Sequence, residues 1–124
     1  MDFKKLIAYK KSFDLGMAIY DFSKSFPKEE TYALTDQIRR SSRSVSANIA
    51  ESYRKRRYPR HFISKLTDAD GENSETSVWL DYALACEYLK REDFEKLEKE
   101  VIEIGKLINY MINNPDKFGV KPEE

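Results

Sequence analysis

The sequence predicts an all-α protein that folds as an antiparallel, up-down-up-down four-helix bundle. Three observations support this fold class: apolar residues recur at spacings of three and four, no segment alternates apolar and polar residues as a strand does, and the segments between the helical patterns are short. The chain has 124 residues, which is the length of one domain, and we assign residues 1–124 to a single bundle.

The first predicted helix spans about residues 5–25, and the second spans about residues 29–56. The first ends before Pro27, because proline disfavours the helical conformation in the residue that precedes it. The second begins with acidic residues, which the helix dipole favours in a first turn. We expect two stripes to face the core: Leu6, Tyr9, Phe13, Gly16, Met17 and Tyr20 in the first helix, and Leu34, Ile38, Ser41, Val45, Ile49 and Ser52 in the second.

The third predicted helix spans about residues 59–90, and Pro59 suits its first turn. Gly71 lies inside this helix; one continuous helix is predicted, and a kink at Gly71 is the alternative. We expect the following stripe to face the core: Phe62, Ile63, Leu66, Ala69, Asn73, Thr76, Trp79, Leu80, Ala83, Cys86 and Leu89.

The fourth predicted helix spans about residues 92–114 and ends before Pro115. A short tail, residues 115–124, follows it, with Phe118 as a candidate anchor. The expected core stripe of this helix is Phe94, Leu97, Val101, Ile104, Leu107, Ile108 and Met111.

The charge of the chain is uneven, although 22 Lys and Arg balance 22 Asp and Glu. Residues 39–65 hold nine basic residues and one acid, a net charge of +8, so that the rest of the chain carries −8. Residues 68–87 hold six acids and no base. A folded domain with such blocks has a positive and a negative region. Two interpretations stay open: the blocks neutralise each other, within or between subunits, or the positive region binds phosphates.

The positive block contains the candidate nucleic-acid-binding residues. Arginine forks suit phosphate oxygens, and Tyr53 and Tyr58 beside them are of the type that stacks on unpaired bases. The spacing carries no base-specific code, so we expect a weak sequence preference. The candidates are Arg39, Arg43, Arg54, Lys55, Arg56, Arg57, Arg60 and Lys65.

A polar stripe adjoins the core stripe of the second helix on a helical wheel. One interpretation is a site in which Arg40 binds a phosphate or carboxylate and Glu51 orients it. The other is a structural polar network, internal or between subunits, because buried polar groups need partners whether or not they do chemistry. The stripe consists of Gln37, Arg40, Ser44, Asn48 and Glu51.

The second helix is also rich in small residues, which allow another helix to approach closely. In a chain of this length, packing on both sides of this helix requires a second subunit. The small residues are Ser41, Ser42, Ser44, Ser46, Ala47 and Ala50.

The residue inventory argues against an enzyme. His61 is the one histidine and lies in a basic run, so no Ser-His-Asp or Cys-His set is predicted. Glu72 and Glu75 lie three residues apart, but metal sites in bundles usually add a Glu-x-x-His pattern, which the sequence lacks. A single cysteine, Cys86, excludes a disulfide framework and a cysteine-based zinc site. We therefore predict no catalytic residue, no metal and no cofactor.

The sequence also lacks the patterns of membrane insertion and export. It contains no run of about 18 apolar residues, so no membrane span is predicted. Residues 1–5 lack the basic-then-apolar order of a signal peptide. We expect a cytoplasmic protein without a membrane partner.

The segment from Gln37 to Glu51, with the preceding residues 26–34, resembles a known family. It is similar to the bacterial four-helix-bundle proteins encoded within intervening sequences of large-subunit ribosomal RNA genes. The stretches 62–66 and 75–80 also match the third helix of this family, so that the resemblance covers nearly the whole chain. The accessory variability protein of diversity-generating retroelements looks like a relative.

The resemblance implies an antiparallel four-helix bundle that assembles into a ring, typically a homopentamer, with no established enzymatic activity. For the retroelement relatives it implies binding of nucleic acid and of a reverse transcriptase through a basic surface. Ser52 stands where many members have glycine, which bears on how closely another backbone approaches there. Glu75 joins the predicted polar network through the resemblance. The family's motif positions in this chain are Gln37, Arg39, Arg40, Asn48, Glu51 and Glu75.

We therefore predict a non-enzymatic, ring-forming protein that binds nucleic acid as an accessory protein, through a basic surface on the second helix and its junction with the third. The alternative is a protein-interaction scaffold whose charged blocks serve self-assembly, with no nucleic-acid role. The expected partners are further copies of the chain, in a pentamer by resemblance, and RNA or DNA. A reverse transcriptase is expected by analogy alone.

Overall fold

The computed structural model describes residues 2–121 of the protein. Four α-helices make up most of this range and no strand occurs within it, so the predicted all-α class is confirmed. Met1 and the last three residues of the predicted tail lie outside the described residues. The helices are α1 (Ile7–Ser23), α2 (Leu34–Arg54), α3 (Pro59–Ala85) and α4 (Arg91–Asn113), and three short 3-10 helices lie at Phe3–Lys5, Lys28–Glu30 and Pro115–Phe118.

The helices pack as a bundle in which α2 contacts α1 and α3, and α4 contacts α3 and α1. Short connections reverse the chain between neighbours, which confirms the up-and-down arrangement. The start of α1, the end of α2, the start of α3 and the end of α4 therefore lie at the same end of the bundle. We call it the basic end, because residues 54–57 lie there.

The core is built largely from the stripes that the sequence predicts for α2 and α4. Ile38, Val45 and Ile49 of α2 and Ile104 and Ile108 of α4 are all buried. The side chains recur every three or four residues, so each helix turns one apolar face inward and leaves its charged face in water. The basic residues of α2 are thereby held on a rigid support.

The predicted core stripe of α1 is wrong in part. Phe13 and Met17 are 49% and 48% exposed, whereas Leu15 and Ile19 are buried. The helix carries apolar residues on two faces, and the face with small residues packs inward because it allows a closer approach. At Gly16, which is buried, an added Cβ would lie 3.9 Å from the carbonyl oxygen of Ser42 in α2. The face of α1 that carries Phe13 and Met17 therefore remains exposed.

The third helix runs without interruption through Gly71, so the predicted continuous helix is confirmed and no break occurs there. It ends at Ala85 instead of about residue 90, because Glu87 adopts a left-handed backbone conformation with φ of 63°. The N–H of Tyr88 donates to the carbonyl oxygen of Ala83 at 2.8 Å, which completes a Schellman motif. Cys86, expected in the core, is exposed in the turn.

The second helix begins at Leu34, five residues later than about residue 29. The acids that suggested an earlier start lie in the 3-10 helix Lys28–Glu30. Glu30 still supports the start of α2, because its Oε1 accepts the backbone N–H of Leu34 at 3.3 Å. Its Oε2 accepts the hydroxyl of Tyr88 at 2.9 Å. The hydrogen bond from Tyr88 joins the α3–α4 connection to the α1–α2 connection.

Candidate nucleic-acid interface

The bundle separates the eight predicted phosphate-binding residues into three groups and one further arginine. Arg54, Arg56 and Arg57 lie at the basic end, around a cavity of about 790 Å³ that we call the end pocket. Arg39 and Arg43 lie on the edge between α1 and α2. The third group, on the edge between α2 and α3, consists of Lys55 and Lys65. Arg60 lies on the first turn of α3.

Three separate parts of the chain line the end pocket: the end of α2 with the turn after it, the first residues of the chain, and the C-terminal segment. The C-terminal segment is held in place by Val120, which is buried, and by Phe118, whose ring meets that of Tyr110 edge-on at 6.1 Å. It adds Lys121 to the cavity, and the N-terminal turn adds Asp2. Among the described residues, four basic side chains and one carboxylate therefore line the cavity.

Arg56 is the most constrained cation of the end pocket. Its Nε donates to the carbonyl oxygen of Tyr53 at 2.8 Å, and its Nη1 donates to that of Phe118 at 3.2 Å. The guanidinium carbon lies 3.7 Å from the centroid of the Tyr53 ring, a cation–π contact. Gly119 completes the turn with φ of 81°, and an added Cβ there would lie 3.3 Å from Arg56 Nη1. The C-terminal turn is thus built around this guanidinium.

Arg54 and Arg57 differ from Arg56 in being exposed. No carboxylate within residues 2–121 forms an ion pair with either side chain. The basic end therefore combines two exposed arginines that have no ion pair, Arg54 and Arg57, with one arginine that is held in place, Arg56. Arg60 is exposed as well, but it has an interaction of its own and does not belong to this unpaired set.

The α1–α2 edge combines arginines with an aromatic ring. Arg39 donates from Nε to the hydroxyl of Ser23 at 2.8 Å, and its guanidinium lies 4.7 Å from the centroid of the Tyr20 ring. The guanidinium of Arg43 lies 5.7 Å from the same centroid. Neither arginine pairs with a carboxylate of the described chain. The edge therefore also presents unneutralised positive charge.

Lys55 and Lys65 are the two predicted phosphate ligands that the fold neutralises. Glu51 lies between them, 3.4 Å from each ammonium nitrogen, and Lys65 also lies 3.9 Å from Asp68. Desolvation alone would raise the pKa of the Glu51 carboxyl, but the charges and hydrogen bonds of Lys65 and Lys55 outweigh it and hold the pKa below its ordinary value. Glu51 is therefore ionised at neutral pH and lowers the charge available for phosphate.

The predicted polar stripe lies on the outward side of the α2–α3 edge. Apart from the ion pair between Glu51 and Lys65 of α3, its hydrogen bonds and ion pairs among the described residues are local. Arg40 approaches Asp36 at 3.9 Å. The Nδ2 of Asn48 donates to the carbonyl oxygen of Ser44 at 2.9 Å. Each of these contacts lies within one helix, so the structure does not bring the stripe together as one internal network. A network that bridges two subunits stays a prediction.

On the α3 side of this edge, Glu75 accepts the indole N–H of Trp79 at 3.2 Å. Glu72, one turn earlier, faces Arg40 of α2. Desolvation and the nearby Glu75 carboxylate raise the pKa of Glu72, although the charge of Arg40 acts in the opposite direction. Gln37, the remaining member of the predicted network, is half-buried on α2. This edge is therefore polar and acidic on its α3 side.

Sequence analysis missed Asp2, Gly119 and Lys121 as parts of the site. They lie at the ends of the chain, and no local pattern of residues relates them to residues 53–57. The two regions are related by a long-range contact, the hydrogen bond from Arg56 to Phe118, two residues that are 62 positions apart in the sequence. The composition of the tail, with one glycine between apolar and basic residues, carries no such information.

The described residues also bear on membrane insertion and metal binding. No helix among them has the length and apolar character that crossing a membrane would require. No group of three or more His, Cys, Asp or Glu side chains among residues 2–121 has the arrangement of a metal site.

Comparisons with known proteins point to one family. The family model described as 23S rRNA-intervening sequence protein matches residues 4–110. A solved structure from Bacteroides thetaiotaomicron, described as a protein with unknown function from the S23 ribosomal protein family, is 31% identical to this chain and superimposes with a TM-score of 0.79. The match covers 86% of this chain and 96% of that one. No curated protein matches the chain.

Proposed function

This chain belongs to the 23S rRNA-intervening sequence protein family, and we propose that it is a non-enzymatic, ring-forming protein that binds nucleic acid through unpaired arginines. The observation that carries the proposal is the pair Arg54 and Arg57, exposed beside the end pocket and without a carboxylate partner in the described chain. Like charges gathered at one place repel each other and do not stabilise a fold, whereas a polyanion relieves the repulsion.

The α1–α2 edge extends this surface. Arg39 and Arg43 lie on the same face of α2 as Arg54, because the eleven residues from 43 to 54 make close to three helical turns. Small residues occupy the face between them, so a strand lying along α2 meets no bulky side chain. Neither group of arginines carries a base-specific pattern, and we expect a weak preference for sequence.

Ring formation is supported by two exposed apolar faces that differ from each other. One, on α1, contains Phe13 and Met17, which are about half exposed, and it lies beside Arg39 and Arg43. The other, on α3, contains Val78 and Tyr82, 47% and 56% exposed, on the helix that carries Glu72 and Glu75.

Contact between two different faces gives a head-to-tail assembly, which closes into a ring when the rotation allows it. The end pocket lies outside both faces, so each subunit of a ring presents one. Repeated pockets raise the avidity for a strand that reaches two of them.

The scaffold alternative has its own support, since the same two faces serve self-assembly without any nucleic acid. A reverse transcriptase partner remains an analogy with the retroelement relatives. Salt-dependent binding of nucleic acid separates the two functions, because a scaffold binds no strand at low salt even when its assembly is intact.

The test is fluorescence anisotropy with single-stranded RNA and DNA of about 20 nucleotides, at two salt concentrations. We expect micromolar binding at low salt that weakens as salt is added. The variant Arg54→Glu/Arg57→Glu should abolish most of this binding. The matched control, Lys90→Glu/Arg91→Glu, reverses two exposed cations at the opposite end of the bundle and should bind as the wild type does. Absence of binding at low salt, with an unchanged oligomer mass by light scattering, supports the scaffold.

A further inference from the structure

The geometry points to a specific ligand for the end pocket: the terminal phosphomonoester of a nucleic-acid strand. This inference rests on the proposed function, since the ligand is a nucleic acid, but it concerns one cavity and one chemical group. To the arginines of the α1–α2 edge we assign the phosphodiester backbone of the same strand.

The charge of the pocket matches a terminal phosphate better than an internal one. Arg54, Arg56, Arg57 and Lys121 line the cavity, and Asp2 is the one carboxylate among the described lining residues. A phosphomonoester carries a charge between about −1.5 and −2 at neutral pH and offers three acceptor oxygens. A phosphodiester carries one negative charge and has two free oxygens, so it uses less of this cluster.

Arg56 provides a donor that is already in position. Two of its five N–H groups are used, by the carbonyl oxygens of Tyr53 and Phe118, and three remain. The side chain is also held against the Tyr53 ring, so little conformational freedom is lost when it binds an anion. Arg57 and Lys121 are exposed and free to close on the bound group from either side.

The shape of the pocket favours the end of a strand over its middle. Residues from the end of α2, from the N-terminal turn and from the C-terminal segment all line the cavity. A strand that passes through needs room to enter and to leave, whereas a strand that ends there needs one opening. The carboxylate of Asp2, whose Oδ1 accepts the N–H of Lys4 at 3.2 Å, also opposes a second phosphate on its side.

The experiment compares three forms of one labelled single strand: 5′-phosphorylated, 3′-phosphorylated, and with hydroxyls at both ends. We expect one phosphorylated form to bind about five- to tenfold more tightly than the form without a terminal phosphate. Whichever phosphorylated form binds more tightly identifies the end of the strand that the pocket takes.

Two double variants locate the effect. In Arg57→Gln/Lys121→Gln, both replaced side chains are exposed and make no contact that holds the C-terminal turn, so the fold is kept and the preference for a terminal phosphate should disappear. In Arg39→Gln/Arg43→Gln, the same charge is removed from the α1–α2 edge. All three strands should then bind less tightly by a similar factor, with the preference retained. Arg56→Gln should also remove the preference, and its thermal unfolding midpoint shows whether the C-terminal turn is intact.

The possible results separate this inference from the proposed function. If all three strands bind the wild type equally well, the end pocket does not recognise a terminal phosphate, while nucleic-acid binding stands. If the preference survives in Arg57→Gln/Lys121→Gln, the terminal phosphate binds elsewhere and the assignment is wrong. If no strand binds at low salt, both proposals fail.

Discussion

The guanidinium of Arg56 lies 3.7 Å from the centroid of the Tyr53 ring and donates a hydrogen bond to the Tyr53 carbonyl oxygen. A third contact, to the carbonyl oxygen of Phe118, joins the end of α2 to the C-terminal segment. Arg56 is therefore part of the basic surface, and it also holds the C-terminal segment against the end of α2. Its neighbours Arg54 and Arg57 have no such structural contacts, so replacing them should change binding without disturbing the fold.

Removing the carboxylate between two lysines should strengthen nucleic-acid binding. In Glu51→Gln, Lys55 loses its ion pair and Lys65 keeps only the longer one to Asp68, so more positive charge becomes available beside the basic end. We expect the affinity for a single strand to rise by about two- to fivefold at low salt, and the gain to shrink as salt is added. Anisotropy titration measures both.

The control for this variant is Glu103→Gln. Hydrogen bonding to Lys11, together with its charge, lowers the pKa of Glu103, and this pair lies on the α1–α4 side of the bundle. The variant changes the net charge of the protein by the same amount as Glu51→Gln but should leave the affinity nearly unchanged. An equal gain in both variants would show that overall charge, and not the position of Lys55 and Lys65, controls binding.

Gly119→Ala should destabilise the protein by about 1–2 kcal/mol. The residue has φ of 81°, which costs energy for any residue with a Cβ, and the added Cβ would lie 3.3 Å from Arg56 Nη1. Urea unfolding followed by circular dichroism measures the change.

The comparison substitution is Gly71→Ala, which should have the opposite sign. Gly71 lies inside α3, is exposed, and has no atom within 4 Å of an added Cβ. Alanine there should raise the free energy of unfolding by about 1 kcal/mol, since it is the better helix former. A loss of stability in both alanine variants would contradict this account of the two glycines.

Glu87→Gly should stabilise the turn between α3 and α4. Glu87 has φ of 63°, in the left-handed region that glycine adopts without steric cost. We expect the thermal midpoint to rise, with a gain in unfolding free energy of about 1 kcal/mol. Glu87→Ala keeps the steric cost and should bring no gain, so equal midpoints for the glycine and alanine variants would argue against strain at this residue.

Stability at alkaline pH should depend on Tyr88. Its hydrogen bond to the Glu30 carboxylate, followed by desolvation, raises the pKa of Tyr88 to about 12 from the ordinary value of 10.0. Because the folded state holds the proton more tightly, this contribution to stability is complete below the ordinary pKa and is lost as the pH rises through about 12.

Urea unfolding at a series of pH values tests this. The difference in unfolding free energy between wild type and Tyr88→Phe should be constant below about pH 10 and should shrink above it. Tyr32→Phe is the control, because Tyr32 is 94% exposed and has no hydrogen bond among the described residues. A difference for Tyr88→Phe that stays constant up to pH 12 would contradict the assigned hydrogen bond.

The spacing of apolar residues predicted α2 and α4 well, because each has one apolar face. Ile38 and Ile104 lie in the core, as expected. The first helix has apolar residues on two faces, so spacing alone could not decide between Phe13 and Leu15. The packing of α2 against the small residues of α1 decides between them, since it buries Leu15 and leaves Phe13 exposed.

The candidate site was predictable in its residue types but not in its geometry. The run of arginines after α2 is visible in the sequence, and arginine is a residue type that suits phosphate. Which cations are neutralised depends on Lys65 and Glu51 meeting across two helices, and the cavity depends on Lys121 reaching the end of α2. Both are contacts between residues distant in sequence, which a local pattern does not encode.

The central claim is that Arg54 and Arg57 bind phosphates, and the salt dependence of binding tests it most directly. For the wild type, a plot of log affinity against log salt concentration should have a slope of about −4 to −5, as expected when about six phosphates are neutralised. Arg54→Gln/Arg57→Gln should make this slope shallower by about 1.3 to 1.7 units, in proportion to the two lost contacts out of six. An unchanged slope in this variant, with its fold intact, would contradict the claim.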